Sequence, residues 1–162
     1  MAGGSAEAFA RAQPLFEIMG QRAVHCGAEG SGQAAKICNN MILAISMIAV
    51  GEGFNLGQKL GLDPQKLFDV VSTSSGQSWS VNSYCPVAGV GPASPADNDF
   101  KPGFAAELMV KDTSLSQAAA EDADVATPLG SHAADLYRQF VEAGGKGKDF
   151  SGIIEMLEKK AR

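Results

Sequence analysis

No Cys-x-x-Cys and no Cys/His spacing suited to a metal occurs in this sequence, whose only cysteines are Cys26, Cys38 and Cys85. An odd number of thiols without ligand spacing excludes a zinc ribbon or a disulfide framework, and it reads as buried thiols in a reducing compartment. No metal site is expected. Basic residues are also short, 13 against 18 acidic ones, for a net charge of -5 without a basic stripe, so nucleic acid is excluded as a partner. The longest apolar run, Met41 to Val50, is broken only by Ser46 and reaches about half of the roughly 20 residues that span a bilayer. It reads as a core helix, and no membrane partner is expected. The N-terminus lacks the basic-then-apolar order of a secretion signal. Missing too is any Gly-x-Gly-x-x-Gly, and no alternation of strands and helices points to a parallel sheet, so the usual dinucleotide fingerprint is absent.

What is present is an ordinary globular composition, 162 residues with 45% hydrophobic and 19% charged, enough for one compact core. Ser5 predicts the N-cap of a helix to about Gln13, and Pro14 predicts a break and a restart ending at Met19-Gly20. Arg22 to Cys26 predicts a short strand, with His25 as a structural imidazole. From about Gly32 to Leu60 the spacing predicts one long helix, apolar on both faces and therefore buried all round. Within it Gly53, Gly57 and Gly61 recur every four residues, which predicts close approach of another helix or, at Gly61, a C-cap. Asp63-Pro64 restarts the chain as a helix carrying Leu67, Phe68, Val70 and Val71 on its apolar side. Residues 72–103, rich in Ser, Gly, Pro and Asn, predict an irregular segment with a short helix at Ser78 to Ser83. That segment is either a packed loop lining a site or a surface loop pinned by Trp79. Pro102-Gly103 predicts a helix through about Ala123 in which Lys111-Asp112 is a solvated pair. Pro128 predicts another to about Ala143, stopped by Gly144-Gly145. A final helix follows Asp149, with Glu155 and Lys159 as an i,i+4 surface pair. The sum is an all-α unit with a short β-containing lead-in.

The chemistry concentrates at the start of the long helix. Gly27, Gly30 and Gly32 allow close backbone approach, and the helix that begins there points free N–H groups and the positive end of its dipole into the turn. A carboxylate or phosphate suits that place. Lys36 and Asn40 are four residues apart, which puts an amine and a carboxamide on one face just above it. One small anionic substrate can touch all three features. A lysine serves as a base only when part of it is neutral, and both burial and a helix N-terminus disfavour the ammonium.

Filled by Gly27, Gly30, Gly32, Lys36 and Asn40, the pattern Gly-x-x-Gly-x-Gly-x-x-x-Lys-x-x-x-Asn resembles the substrate and catalytic signature of the β-hydroxyacid dehydrogenases. Ser74-Ser75-Gly76 with Trp79, Tyr84-x-Pro86, Pro95-Ala96, Gly103-Phe104 and Leu108-Met109-x-Lys111-Asp112 resemble the 3-hydroxyisobutyrate dehydrogenases in particular. The resemblance implies a 6-phosphogluconate-dehydrogenase-like C-terminal helical domain with a long central helix. It implies that 1–29 is the strand-helix-strand tail of an N-terminal Rossmann domain missing from this chain, with Met1 to Gly4 and Ala23 to Cys26 as strands. Residues 30–162 are then the substrate and dimerisation domain of a homodimer or homotetramer. Lys36 is implied as the catalytic acid/base, Gly30, Ser31, Gly32 and Asn40 as substrate contacts, and Lys111, Phe104 and Asp112 as the cofactor side. The implied reaction is hydride transfer between NAD, with NADP as the alternative, and a small β-hydroxy acid. The first candidate is 3-hydroxyisobutyrate, in valine catabolism, in a bacterial cytoplasm or mitochondrial matrix. The fragment alone is expected to be inactive. Alternatives are a glyoxylate, succinic semialdehyde or tartronate semialdehyde reductase, and a non-catalytic helical dimerisation module. One departure from the pattern is Thr113-Ser114, where relatives carry an apolar residue after Lys-Asp.

Overall fold

The computed structural model describes residues 1–160, with side chains through Glu158. Two compact units divide the chain, Met1–Asn40 and Met41–Arg162, and the division falls inside its longest helix. The fold is mostly helical, with α1 Ala6–Met19, α2 Ser31–Lys59, α3 Pro64–Val71, α4 Trp79–Asn82, α5 Ala106–Asp122, α6 Pro128–Phe140 and α7 Ile153–Lys160.

In the first unit the Ser5 side chain accepts the Ala8 N–H and caps α1, a contact worth about 1 kcal/mol. Pro14 does not break this helix, contrary to expectation, and α1 runs unbroken through it. The reason is exposure. Proline deprives the carbonyl four residues earlier, at Ala10, of its helical donor, and α1 buries none of its residues, so water satisfies that carbonyl. Among the described residues, pairing around α1 is limited to one isolated parallel bridge, Ala2 with His25. It is extended by Ala2 N–H to Val24 O at 2.9 Å, Cys26 N–H to Ala2 O at 2.8 Å and Gly4 N–H to Gly27 O at 3.0 Å. His25 is structural: its Nε2 meets Gly4 O at 2.8 Å, and its ring stacks on Phe9 at 4.8 Å.

The second unit packs Ala44, Met47 and Ile48 of α2 against Ala106 and Met109 of α5, Leu136, Tyr137 and Phe140 of α6, and Phe150 and Ile153. Burying each of the leucine, isoleucine, methionine and phenylalanine side chains stabilises the fold by about 1.5–3 kcal/mol. α2 begins and ends where the periodicity placed it, yet it is not buried all round: Ile42 is 61% and Leu56 60% exposed. The packed helices cover only one side. The helix also exceeds the length read from its apolar run, because alanines and glycines around that run extend it; by length and composition it is able to cross a bilayer, a test that soluble core helices also pass. At its end Gly61 takes a left-handed φ of 81°, with Leu62 N–H bonding Gly57 O and Gly61 N–H bonding Gln58 O. That is a Schellman cap. Of the spaced glycines only Gly57 is in close helix contact, since a Cβ there would lie 2.6 Å from Leu67 of α3, while one at Gly53 would meet nothing within 4 Å.

Asp63 accepts the Lys66 N–H as its expected cap, and Ser78 accepts the Val81 N–H at the start of the expected short helix. Around α4 the irregular segment is packed, with Cys85, Val90, Ala96 and Phe100 buried against Phe54 and Ile154. Trp79 is not its buried pin; it is 52% exposed. Of the cysteines only Cys85 is buried, its thiol pushed up by burial, whereas Cys26 is partly buried and Cys38 exposed. Pro102-Gly103 does not open α5, which starts at Ala106, because the Gly103 and Phe104 amides are bonded to the Asp149 carboxylate instead. α6 passes at Val141 into a wider turn that ends over Gly144, at φ 103°. Glu155 pairs with Lys148 at 2.6 Å, while the expected Lys159 partner lies outside the described side chains.

Candidate functional site

The turn before α2 is glycine-rich for a steric reason. Gly27 and Gly30 have φ of 121° and 86°, a region that costs other residues strain. A Cβ on Gly3 would stand 2.7 Å from the Ala28 carbonyl oxygen, and one on Gly32 would stand 3.0 Å from Gly3 N and 3.1 Å from Ala2 Cα. Residues 2–3 therefore lie against the first turn of α2 at a distance that no side chain permits. Gly30 O accepts the Ala34 N–H at 3.0 Å, and the Ser31 N–H is taken by Ala28 O at 3.1 Å. The next two amides, Gly32 and Gln33, have no carbonyl of their own helix within reach, and the positive end of the helix adds to them.

These residues frame an open cleft of about 430 Å³ lined by Met1, Ala2, Gly3, Gly32, Gln33, Lys36 and Asn40. Three expected residues, Gly32, Lys36 and Asn40, are thereby brought together. Gly30 and Ser31 form the turn beside the cleft but not its lining. Asn40 is buried, and its Oδ1 accepts from Asn39 Nδ2 at 3.1 Å. Lys36 is exposed in this chain, not buried as expected. Gln33, Met1 and Ala2 are lining residues that spacing alone did not single out. With an amine, carboxamides and a positive helix end but no carboxylate in its lining, the cleft is suited to a small anion. A larger cleft of about 510 Å³ in the second unit, lined by Glu52, His132, Leu136 and Glu158 among others, holds none of the expected residues. Size does not follow the chemistry here.

The other expected residues lie in the second unit. Lys111 is exposed on α5, and Asp112 beside it is buried rather than solvated, at 6% exposure. Phe104, two residues before α5, is half-buried with its ring edge-on to Phe150 at 5.6 Å. Its backbone leads to a residue that the sequence marked only as the point after which the last helix follows. Asp149 is fully buried and accepts at Oδ2 from Tyr84 Oη, Gly103 N and Phe104 N, and at Oδ1 from Ser151 N and Oγ. Burial, then the Asp149 charge and its hydrogen bond, push the Tyr84 phenol far up. Burial and the same charge raise Tyr137, whose hydroxyl is buried without a partner among the described residues. No group of three or more His, Cys, Asp or Glu among the described residues is placed to hold a metal.

Residues 30–157 match the family described as NAD-binding of NADP-dependent 3-hydroxyisobutyrate dehydrogenase. The chain is 49% identical over 161 residues to a probable 3-hydroxyisobutyrate dehydrogenase of Mycobacterium tuberculosis, covering 99% of this chain and 54% of that protein. It is 46% identical over 160 residues to the human mitochondrial 3-hydroxyisobutyrate dehydrogenase, covering 99% and 48%. Among solved structures, the M. tuberculosis 3-hydroxyisobutyrate dehydrogenase with L-serine superposes with a TM-score of 0.91 at 50% identity, over 96% of this chain and 53% of that one. The chain spans about half the length of the curated relatives it matches.

Proposed function

The chain belongs to the 3-hydroxyisobutyrate dehydrogenase family, and from that premise we propose that it is the helical substrate half of an enzyme oxidising a small β-hydroxy acid. In this reading it is a 6-phosphogluconate-dehydrogenase-like C-terminal domain. Residues 1–29 are the tail of a Rossmann domain that completes the site, and the parallel bridge of Ala2 with His25 across α1 supports that assignment. The observation that carries the reading is the cleft in which Lys36 and Asn40 stand above the first turn of α2.

The chemistry needs three things from the protein: a fixed carboxylate, a proton acceptor for the hydroxyl, and exclusion of charge that would compete. The Gly32 amide region and the positive end of α2 hold the substrate carboxylate, with Gly30 and Ser31 shaping the turn. Lys36 Nζ takes the hydroxyl proton, and the Asn40 carboxamide orients that hydroxyl without adding charge. A nicotinamide dinucleotide, when bound, accepts the hydride. The donor set suits such a group, because Lys111 offers an exposed cation for its anionic part and Phe104 an aromatic edge, with Asp112, buried on the same helix, supporting that wall. NAD is the first choice and NADP the second.

Exposed apolar residues on α2 and just beyond it, Ile42, Leu56 and Leu60 at 60–71%, support a homodimer or homotetramer; a monomer at high concentration in sedimentation equilibrium would contradict it. The relatives are bacterial and mitochondrial, which supports a bacterial cytoplasm or mitochondrial matrix. The decisive experiment is a spectrophotometric screen of the full-length enzyme with NAD and NADP against 3-hydroxyisobutyrate, glycolate, 4-hydroxybutyrate and glycerate. Turnover greatest with 3-hydroxyisobutyrate is expected. Preference for another acid would move the enzyme to one of the related reductases, and no turnover with any would leave a helical dimerisation module.

A further inference from the structure

Asp149 does more than its position in the chain requires. A helix cap needs one oxygen, and Oδ1 supplies it by accepting from Ser151 N at 2.9 Å and Ser151 Oγ at 2.6 Å. Oδ2 is left over, and it gathers three donors from distant segments: Tyr84 Oη at 3.0 Å, Gly103 N at 2.9 Å and Phe104 N at 2.9 Å. The side chain is fully buried, and a buried carboxylate is tolerated only when its acceptor sites are filled in this way. The same segments are bonded again through the backbone, Phe150 N–H to Phe104 O at 2.9 Å and Ala106 N–H to Lys148 O at 2.9 Å. Tyr84 closes the arrangement, since a Cβ on Gly103 would lie 2.7 Å from its hydroxyl oxygen. Its ring stacks on Phe150 at 5.5 Å, and Phe150 meets Phe104 edge-on. The Phe104 main chain and ring are thus both fixed by groups that converge on Asp149.

We infer that Asp149, acting through Oδ2, is a positioning residue that sets Phe104 for its contact with the nicotinamide cofactor. The inference rests on the cofactor role proposed above for Phe104. It assigns no proton transfer to Asp149 and no contact with substrate.

The test uses the full-length enzyme and three variants, Asp149→Asn, Tyr84→Phe and Phe104→Ala, with KM for NAD, KM for the hydroxy acid and kcat measured for each. Asn keeps one acceptor oxygen for Ser151 but turns an NH2 toward three donors, so the Oδ2 contacts fail while the cap survives. Tyr84→Phe removes one of the three donors and nothing else. We expect Asp149→Asn to raise KM for NAD about tenfold and Tyr84→Phe about threefold, with KM for the hydroxy acid unchanged within about twofold. In a Phe104→Ala background both substitutions should lose their effect on the NAD constant. A merely structural role would not produce that split. If Phe104→Ala raises the NAD constant but the folded Asp149→Asn and Tyr84→Phe enzymes do not, the positioning role is overturned while the Phe104 contact stands. Effects that persist undiminished without the Phe104 ring would overturn it as well. If Phe104→Ala itself leaves the NAD constant unchanged, the cofactor contact falls, and the inference with it. Should Asp149→Asn fail to fold, Tyr84→Phe alone decides.

Discussion

Lys36 and Asn40 stand one turn apart on α2 and line the same cleft, the amine exposed and the carboxamide buried. This division suits their proposed tasks. A group that must take and give protons gains from access, whereas one that only orients a hydroxyl gains from being fixed. Asn40 is fixed in part by Asn39, whose amide donates to it at 3.1 Å.

The cleft depends on a backbone-to-backbone contact, which makes Gly32 a sensitive position. A methyl at Gly32 meets Gly3 N at 3.0 Å and Ala2 Cα at 3.1 Å, neighbours that cannot rotate away. Gly32→Ala should therefore cost about 1–3 kcal/mol in urea unfolding and raise KM for the hydroxy acid. Gly53→Ala is the contrast: its methyl meets nothing within 4 Å, so helix propensity alone should act and stabilise by up to about 1 kcal/mol. Equal midpoints for the two variants would show that the close approach has no energetic weight.

Both tyrosines of the chain have phenols raised by burial and by the Asp149 charge. A group whose folded pKa is raised adds stability that is complete below its unfolded value, near about 10 for tyrosine, and that is lost as pH climbs from there through the folded values. Native protein titrated in the ultraviolet should show no phenolate near pH 10, and phenolate absorbance should rise only together with unfolding. One tyrosine ionising near pH 10 in folded protein would contradict the Asp149 environment.

Much of this was legible in the sequence, and the misses have physical causes. Asp63-Pro64 and Pro128 announced their helices because a cap acts on amides two or three residues away and a proline suits the first helical position. Lys36 and Asn40 could be paired because helical spacing is a local property. Asp149 stood in the sequence only as the residue before the last helix, and one of its oxygens is indeed a cap. Its other oxygen serves residues 45 and 65 positions earlier, a relation that no local pattern encodes. Pro14 misled in the opposite direction, since on an exposed helix the carbonyl that a proline frees is open to solvent. The one-sided burial of α2 was hidden because its composition is apolar on both faces.

The cofactor side and the substrate side should separate in steady-state kinetics of the full-length enzyme. Lys111→Ala removes an exposed cation on α5 and should raise KM for the dinucleotide with little change in KM for the hydroxy acid. Asn40→Ala should do the reverse. If both variants raise the same constant equally, the assignment of the two sides is wrong.

The central claim is that Lys36 is the acid/base, and Lys36→Arg in the full-length enzyme tests it most directly. A guanidinium keeps the positive charge near the α2 terminus but cannot release its proton near neutral pH. If Lys36 accepts the hydroxyl proton, Lys36→Arg and Lys36→Ala should both lower kcat by roughly 10² to 10⁴, while KM for the dinucleotide stays near that of the parent enzyme. A Lys36→Arg enzyme that keeps most of its turnover would contradict the claim and leave Lys36 only as an electrostatic anchor for the substrate carboxylate.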